Sequence, residues 1–252
     1  MSKIASATIG VLMSFALLAM PVPRASSSVK VLKISEKNAG LLDKLESYPD
    51  LESLSIKCVE ALKVLPDSIG KLTRLRELII DNGNGNGCAM NPVLPESIGN
   101  LYSLEKLVLY GAQDPSSVGD EPNPQPHQRH KFPGAMSQLK NLVYLDLGRN
   151  GLTEIPSFVG DLPKLGELRF QFNALKELSP VVARLQELRV LELNGNDLSD
   201  LPGFLKTLPN LTRVTLGNNC RITQSPAKVT ELTNRFPNIH FDFMDEYDCP
   251  AN

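Results

Sequence analysis

The feature that most constrains the fold is the pattern L-x-x-L-x-L-x-x-N, which returns at a fixed step in the second half of the chain. Its copies begin at Leu142, Leu165, Leu188 and Leu211, so each copy follows the last at the same distance along the chain. Weaker copies begin upstream at Leu51, Leu75 and Leu104. One such repeat cannot bury its apolar residues alone, so a short constant period predicts a solenoid in which successive repeats stack.

Within each copy, the segment L-x-L predicts a short strand, because alternate residues of a strand point to opposite sides. The two leucines therefore face a shared core, while the residue between them faces the other side. The asparagine that ends each copy is expected to turn the chain and pair its amide with backbone groups of adjacent repeats. These ladder positions are Asn150, Asn173, Asn196 and Asn219.

After the asparagine, the chain reaches a proline, as at Pro156 and Pro202. Proline presets a turn and lacks a backbone donor, so it can begin a short helical or 3₁₀ segment without leaving an unpaired N–H. We expect these segments to lie on the outer side of the solenoid. The sequence thus predicts an α/β solenoid of strands alternating with short helical turns.

Two upstream segments, L-P-D-S-I-G-K-L-T-R-L at residues 65–75 and L-P-E-S-I-G-N-L-Y-S-L at residues 94–104, carry a family resemblance. They resemble typical leucine-rich repeats of the Ras-group type, including the plant intracellular Ras-group-related proteins. The resemblance covers about residues 51–240. It implies a curved horseshoe with a parallel sheet on its concave face, where members of the family characteristically bind proteins.

The upstream repeats depart from the regular pattern at the ladder position, where they carry Val59, Gly83 and Ala112. Each also has an insertion between that position and the next proline, and the insertions grow longer from the first of these repeats to the third. We expect the inserted loops to cluster at one edge of the sheet and to carry binding residues. We predict an N-terminal cap over residues 28–50 and about seven repeats over residues 51–225, with an inserted loop at 113–131. A C-terminal cap with an acidic tail is predicted over residues 226–252.

The N-terminus predicts a secretory signal peptide over residues 1–27. Lys3 precedes an apolar run over residues 9–20, and the small residues Ala25, Ser26 and Ser27 follow. An uncleaved anchor, or an N-terminal helix that packs on the domain, remains open as an alternative. The expected location is secreted, or periplasmic in a bacterium, with no stable membrane insertion after cleavage.

Four cysteines are expected to meet an oxidising environment after export. We favour the pairs Cys58–Cys88 and Cys220–Cys249, because a rod-like solenoid keeps its two ends far apart. Four buried free thiols are the alternative if the chain is not exported.

The net charge of the chain is −2, so the sequence lacks the excess of basic residues that nucleic-acid-binding proteins show, and a nucleic-acid partner is not predicted.

No sequence motif in this chain strongly indicates nucleotide binding or metal binding. The glycine run at residues 83–87 has the spacing G-x-G-x-G and is followed by Asn91-Pro92, whereas a dinucleotide site needs a helix N-terminus there. His127 and His130 lack a third metal ligand at a defined spacing. We therefore predict no catalytic residue, no metal, no cofactor and no enzymatic activity.

A protein partner is the predicted ligand. The residues between the core leucines face the concave surface, and aromatic and arginine side chains are the usual energetic anchors of interfaces. Arg169 lies between Asp146 and Glu192 in adjacent repeats and could simply neutralise them. The candidate partner-binding residues are Tyr110, Tyr144, Asp146, Arg149, Arg169, Phe172 and Glu192.

The resulting hypothesis is a non-catalytic, secreted protein-binding module that recognises its partner through the concave face. Two alternatives stay open at this point. One is an intracellular scaffold or small-GTPase regulator, which a mature chain beginning at Met1 would favour. The other is an extracellular inhibitor or sensor of cell-wall enzymes or glycans, whose repeats carry L-x-G-x-I-P where this chain has L-P-x-x-I-G.

Overall fold

The computed structural model describes residues 29–82, 92–111, 132–244 and 249. The predicted signal peptide, the loop at 113–131 with its two histidines, Cys88 and the acidic residues of the tail lie outside the described residues. Among the described residues, no helix is both long enough and apolar enough to span a membrane.

One parallel sheet runs the length of the described chain, and its strands follow one another in chain order. Each strand is hydrogen-bonded to the strands before and after it, so the sheet is an open ribbon and not a closed barrel. The strands are β1 (Val31–Ile34), β2 (Ser53–Lys57), β3 (Glu77–Asp81), β4 (Lys106–Tyr110), β5 (Tyr144–Asp146), β6 (Glu167–Arg169), β7 (Val190–Glu192), β8 (Arg213–Thr215) and β9 (His240–Asp242).

Short 3₁₀ helices connect the strands and form the opposite, convex side. Several begin directly after a proline, as at Pro156 and Pro202, which agrees with the turn chemistry of the sequence. Their ranges are Glu36–Ser47, Asp67–Lys71, Glu96–Asn100, Gly134–Gln138, Ser157–Asp161, Pro180–Arg184 and Gly203–Thr207. Two α-helices follow β8: α1 (Cys220–Thr223) and α2 (Pro226–Arg235).

The insertions in the upstream repeats do not change the register of the strands. In the regular half, Tyr144 of β5 pairs with Glu167 of β6, and the pairs of β6 with β7 and of β7 with β8 keep the same separation along the chain. Upstream, the separation grows from repeat to repeat, through the pairs Ser53–Glu77, Glu77–Lys106 and Lys106–Tyr144. Equivalent residues still face each other across all of these strands, so each insertion leaves the stacked strands in register.

The core is one continuous spine of apolar side chains between the sheet and the 3₁₀ helices. In register along the sheet, the first core position of each repeat is fully buried, with no solvent exposure at Leu54, Leu78, Leu107, Leu145, Leu168, Leu191 and Val214. Burying a leucine side chain contributes about 2 kcal/mol, so the stack as a whole supplies the stability that a single repeat lacks.

The convex side packs closely where the sequence has Ile-Gly. A Cβ atom at Gly70 would lie 2.6 Å from the carbonyl oxygen of Ser97 in the next repeat, and Gly99 is equally close to Ala135. Glycine is therefore required at these positions because the neighbouring backbone leaves no room for a side chain.

Each end of the core is covered by a terminal segment. At the N-terminal end, Leu42 and Leu45 of the first 3₁₀ helix are buried against the first repeats. At the C-terminal end, Leu232 and Phe236 are buried, and a disulfide joins Cys220 to Cys249. The sequence analysis favours this pairing. Cys58 is also disulfide-bonded, and the partner proposed for it lies outside the described residues.

Candidate partner-binding surface

The ladder asparagines fix the edge of the sheet at which each strand ends. The amide nitrogen of Asn196 donates to the carbonyl oxygens of Phe170 and Leu193, both at 2.9 Å, and its amide oxygen accepts from the Leu175 N–H at 3.0 Å. Asn219 makes the same three contacts one repeat later. Each amide thus ties two repeats together and pairs backbone groups that would otherwise be buried without partners.

Asn150 continues this ladder across the longest insertion. Its amide nitrogen donates to the carbonyl oxygen of Leu109 at 2.7 Å, although the two residues are 41 positions apart in the chain. The equivalent bond of Asn173, to Leu147, spans 26 positions. The longest insertion accounts for the difference, so the backbone on either side of the loop at 113–131 keeps the regular geometry.

The residue before the ladder position has a left-handed backbone in most repeats. Within the described chain, the torsion angle φ is positive there in six repeats: 47° at Cys58, 59° at Gly111, 55° at Arg149, 56° at Phe172, 66° at Gly195 and 56° at Asn218. Glycine and asparagine adopt this conformation readily, whereas other residues lose about 1 kcal/mol. Arg149 and Phe172 are therefore held in a conformation that their own side chains disfavour.

Tyr110, Arg149 and Phe172 form a contiguous group, here called the rim cluster. The Nε of Arg149 donates to the hydroxyl oxygen of Tyr110 at 2.8 Å, and its guanidinium carbon lies 4.6 Å from the centre of the Phe172 ring. The Phe172 ring covers Gly195 so closely that a Cβ atom there would lie 2.5 Å from it. The rim cluster thus extends over three consecutive repeats and contacts a fourth through Gly195.

A second group, here called the central network, lies beside the rim cluster on the concave face and comprises Tyr144, Glu167, Arg169 and Glu192. The guanidinium of Arg169 contacts Glu167 at 2.5 Å and Glu192 at 3.3 Å. Its carbon also lies 5.2 Å from the centre of the Tyr144 ring, on the neighbouring strand. Arg169 therefore holds three repeats together through charge and stacking.

Burial dominates the electrostatics of the central network. Burial raises the pKa of Tyr144 to about 12, with a further contribution from the charge of Asp146. Burial also raises the pKa of Glu192, although the positive charge of Arg169 acts against that rise. The tyrosine hydroxyl is consequently neutral, and available as a hydrogen-bond donor, throughout the physiological pH range.

Asp146 lies beneath the concave surface, with only 6% of its area exposed. Its carboxylate accepts from the Gly148 N–H at 2.8 Å and from the Gln171 amide nitrogen at 3.2 Å. Burial raises the pKa of this carboxyl group. The alternative interpretation of the sequence was that Arg169 neutralises Asp146 and Glu192. In the structure, Arg169 forms ion pairs with Glu192 and with Glu167. Asp146 thus orders the turn before Arg149 beneath the surface.

The structure brings the remaining candidate residues together in two adjacent groups, and it adds two residues that lie outside the candidate set. Glu167 and Gln171 each contact a candidate residue on the same face. Their spacing is a usable signal, because each lies two positions from Arg169 and alternate strand residues share a face. Ser55 and Thr215 also lie between core residues of their repeats, and both are largely buried.

A shallow groove of about 650 Å³ lies at the opposite edge of the sheet. Its lining residues include Val143, Tyr144, Gly166, Arg189 and Val190. Val143 is 47% exposed there. Within the described residues, no group of three or more histidine, cysteine or acidic side chains is placed to hold a metal ion.

Comparisons with known proteins identify the repeats. A family model described as "Leucine Rich repeats (2 copies)" matches residues 186–234, and one described as "Leucine Rich Repeat" matches residues 141–162. No curated protein matches the chain. The matched segments are therefore leucine-rich repeats, and the open parallel ribbon has the fold of a leucine-rich-repeat solenoid.

Solved structures share this fold. A leucine-rich-repeat protein of Leptospira interrogans is 26% identical, with a TM-score of 0.50 over 88% of this chain and 63% of the Leptospira chain. The present chain therefore spans less than two thirds of that protein's length. Internalin C2 of Listeria monocytogenes is 23% identical, with a TM-score of 0.44 over 68% of this chain and 74% of the internalin.

Proposed function

We propose that this chain is a secreted, non-catalytic module that binds a partner protein through the concave face of its solenoid. The observation that carries the proposal is the joint presence of the rim cluster and the central network on adjacent repeats. Aromatic and arginine side chains dominate the energetics of protein interfaces, and here four of them, Tyr110, Tyr144, Arg149 and Phe172, occupy neighbouring positions.

Pre-organisation supports the same proposal. Binding usually costs about 0.5–1.5 kcal/mol for each side chain that must be ordered. Here the hydrogen bond between Tyr110 and Arg149 and the stacking of Arg149 on Phe172 already fix these side chains. The ladder asparagines fix the backbone beneath them, so little further ordering is needed when a partner binds.

Export is supported by the disulfide between Cys220 and Cys249 and by the disulfide-bonded state of Cys58, because disulfides persist in oxidising compartments. The apolar N-terminal segment over residues 9–20 is consistent with the same route. Disulfides are rare in cytosolic proteins, so these bonds favour export over the alternative of a cytosolic scaffold or GTPase regulator.

The L-P-x-x-I-G pattern supports the Ras-group type of repeat over the type found in extracellular cell-wall inhibitors.

The test begins with the secreted proteins of the host. Mass spectrometry identifies the mature N-terminus, expected at Ser28, and the proteins captured by the purified chain. The affinity of the captured partner is then measured for the double variant Tyr144→Ala, Phe172→Ala. We expect a loss of at least about 100-fold, since each truncation removes an anchor with a cost of about 2 kcal/mol.

Tyr102→Ala is the matched control. Tyr102 is another aromatic residue, 54% exposed, that follows a 3₁₀ helix and lies outside both groups. Its replacement should leave the affinity unchanged. Circular dichroism and the melting temperature verify the fold of each variant. If the double variant binds as tightly as the wild type, the concave face is not the binding surface.

A further inference from the structure

Two arginines differ from the others that the structure describes. Most arginines form an ion pair with an acidic side chain, as Arg169 does with Glu192 and Arg213 with Asp242. The exceptions among the described residues are Arg149 and Arg189, neither of which contacts a carboxylate. Arg149 lies in the rim cluster, and Arg189 lines the groove at the opposite edge.

Arg149 is held in a fixed orientation although no described carboxylate pairs with it. Its Nε is engaged by Tyr110 and its planar face by the Phe172 ring. Its two terminal nitrogens make no hydrogen bond within the described part of the chain. A guanidinium with one edge held and the other edge free presents two parallel donors, which is the geometry that a carboxylate accepts in a bidentate pair.

We infer that Arg149 binds an aspartate or glutamate side chain of the partner protein. This inference rests on the proposed function, because it names the chemistry of a partner at the same concave face. Stacking on an aromatic ring lowers the hydration of the guanidinium, and a charge-assisted pair made there is stronger than one on an open surface.

The surrounding charges favour a carboxylate over a phosphate group. The charges of Asp81 and Asp146 reach Tyr110 and act to raise the pKa of its hydroxyl group, although burial is the main cause of that rise. These two acids therefore oppose any anion that approaches Arg149. A carboxylate carries one negative charge and a phosphate close to two, so the phosphate is repelled more strongly.

The backbone provides independent support. Arg149 has a positive φ at a position that other repeats fill with Gly111, Gly195 and Asn218. A strained residue persists where the surrounding structure enforces it, and such residues cluster at ligand-binding sites. Arginine at this position therefore lowers the stability of the fold, and a role in binding accounts for its presence.

The experiment uses a random peptide library displayed on phage and selected against the full mature chain. We expect the selected peptides to share an aspartate or glutamate at one position. For a selected peptide, Arg149→Asn should weaken binding at least about 10-fold, as expected for the loss of a charge-assisted pair. Asn218 occupies the same backbone position in its own repeat, so the melting temperature of Arg149→Asn should be equal to or above that of the wild type.

Two further variants and a changed peptide make the test specific. Arg149→Lys keeps the charge but loses the planar fork, so its loss should be smaller than that of Arg149→Asn. Arg189→Gln removes the other described arginine that lacks an ion pair and should leave binding unchanged. Replacing the acidic residue of the peptide by its amide should weaken binding to the wild type but not to Arg149→Asn, because the two changes remove the same contact.

The outcomes separate this inference from the proposed function. If the peptides lose affinity on Tyr144→Ala but share no acidic position, or bind Arg149→Asn as well as the wild type, the inference is overturned and the concave face remains the binding surface. The inference is also overturned if only Arg189→Gln weakens binding, which would place the peptide in the groove. If no concave-face substitution affects any peptide, both ideas fail.

Discussion

The two halves of the solenoid form the same ribbon by different means. From β5 to β8 the repeats keep a constant step, their strands are short, and an asparagine amide follows each strand. From β2 to β4 the strands are longer, and the step changes at every repeat. Val59, at the ladder position after β2, is an apolar residue that is 1% exposed.

This difference shows which part of the repeat sets the register. The leucine spine continues through both halves without a shift, although only one half has the regular asparagine ladder. In the irregular half, Asn82 lies one position before the ladder position and donates to the carbonyl oxygen of Gly111 at 2.9 Å. Stacked leucines therefore determine the pairing of the strands, while the turn after each strand can be closed in more than one way.

The largest expected effect comes from breaking the ladder in the regular half. Asn196→Ala would leave the N–H of Leu175 buried without its partner. It would also remove one of the two amide donors to the carbonyl oxygens of Phe170 and Leu193, which keep the amides of Asn173 and Asn219. The unpaired N–H costs about 1–3 kcal/mol and each lost hydrogen bond about 1 kcal/mol, so we expect the free energy of unfolding to fall by about 3–5 kcal/mol. Chemical denaturation with circular dichroism measures this change.

Asn194→Ala is the matched control, because it removes an amide two residues away in the same repeat. The amide oxygen of Asn194 is buried and has no hydrogen-bond partner among the described residues. Its removal should therefore change the free energy of unfolding by less than about 1 kcal/mol. If Asn194→Ala destabilises the chain as much as Asn196→Ala, the ladder does not hold the regular half together.

The next effect comes from opening the C-terminal end, where regular repeats meet a cap. Replacing both Cys220 and Cys249 by serine removes a cross-link between residues 29 positions apart. The chain-entropy model predicts a loss of about 3–4 kcal/mol under oxidising conditions. As a control, the same comparison in a thiol reductant should show little difference between variant and wild type, and a persistent difference would mean that the serines perturb packing.

The smallest effects come from two carboxylates whose pKa values shift in opposite directions. Burial raises the pKa of Asp146 above its ordinary value of 3.8. At Asp200 burial also acts to raise the pKa, but hydrogen bonds from Arg235 and Lys228 outweigh it and lower the pKa to about 2. The ionised form is therefore unfavourable to folding at Asp146 and favourable at Asp200.

Replacing each carboxylate by its amide tests these signs. Asp146→Asn should raise the free energy of unfolding at neutral pH and have no such effect below pH 3.8, where the carboxyl is protonated in both states. Asp200→Asn should lower it at neutral pH, and this loss should shrink as the pH falls from 3.8 through about 2. Curves of unfolding free energy against pH that shift in the same direction for both variants would contradict the assignment.

Much of the fold follows from the sequence because the repeat is a local signal. The constant step, the L-x-L strands and the prolines before the 3₁₀ helices each depend on residues that are close together in the chain. Even the insertions could be located by counting, since Leu107 and Leu145 must occupy equivalent places in adjacent repeats. The asparagine ladder was predictable for the same reason.

The candidate site was only partly predictable. The sequence placed Tyr144, Arg169 and Phe172 on one surface, because their positions within the repeat are equivalent or adjacent. It indicated the pair of Arg169 with Glu192, but not the pair of Arg169 with Glu167 or the cover of Gln171 over Asp146. Such contacts depend on side-chain rotamers and on the distance between stacked repeats, and the repeat pattern specifies neither.

The sequence by itself determined the architecture, because identical apolar positions recurring at one period can be buried together only by stacking. The tertiary structure alone decided which side chains remain available on the concave surface. Asp146 and Arg149 lie close together in the chain, yet one is covered, while the terminal nitrogens of the other meet no acceptor in the described chain. The reason is the left-handed backbone at Arg149, between strand β5 and the ladder position Asn150. This backbone conformation sets the direction of the Arg149 side chain, and neither the composition nor the spacing of the repeats specifies it.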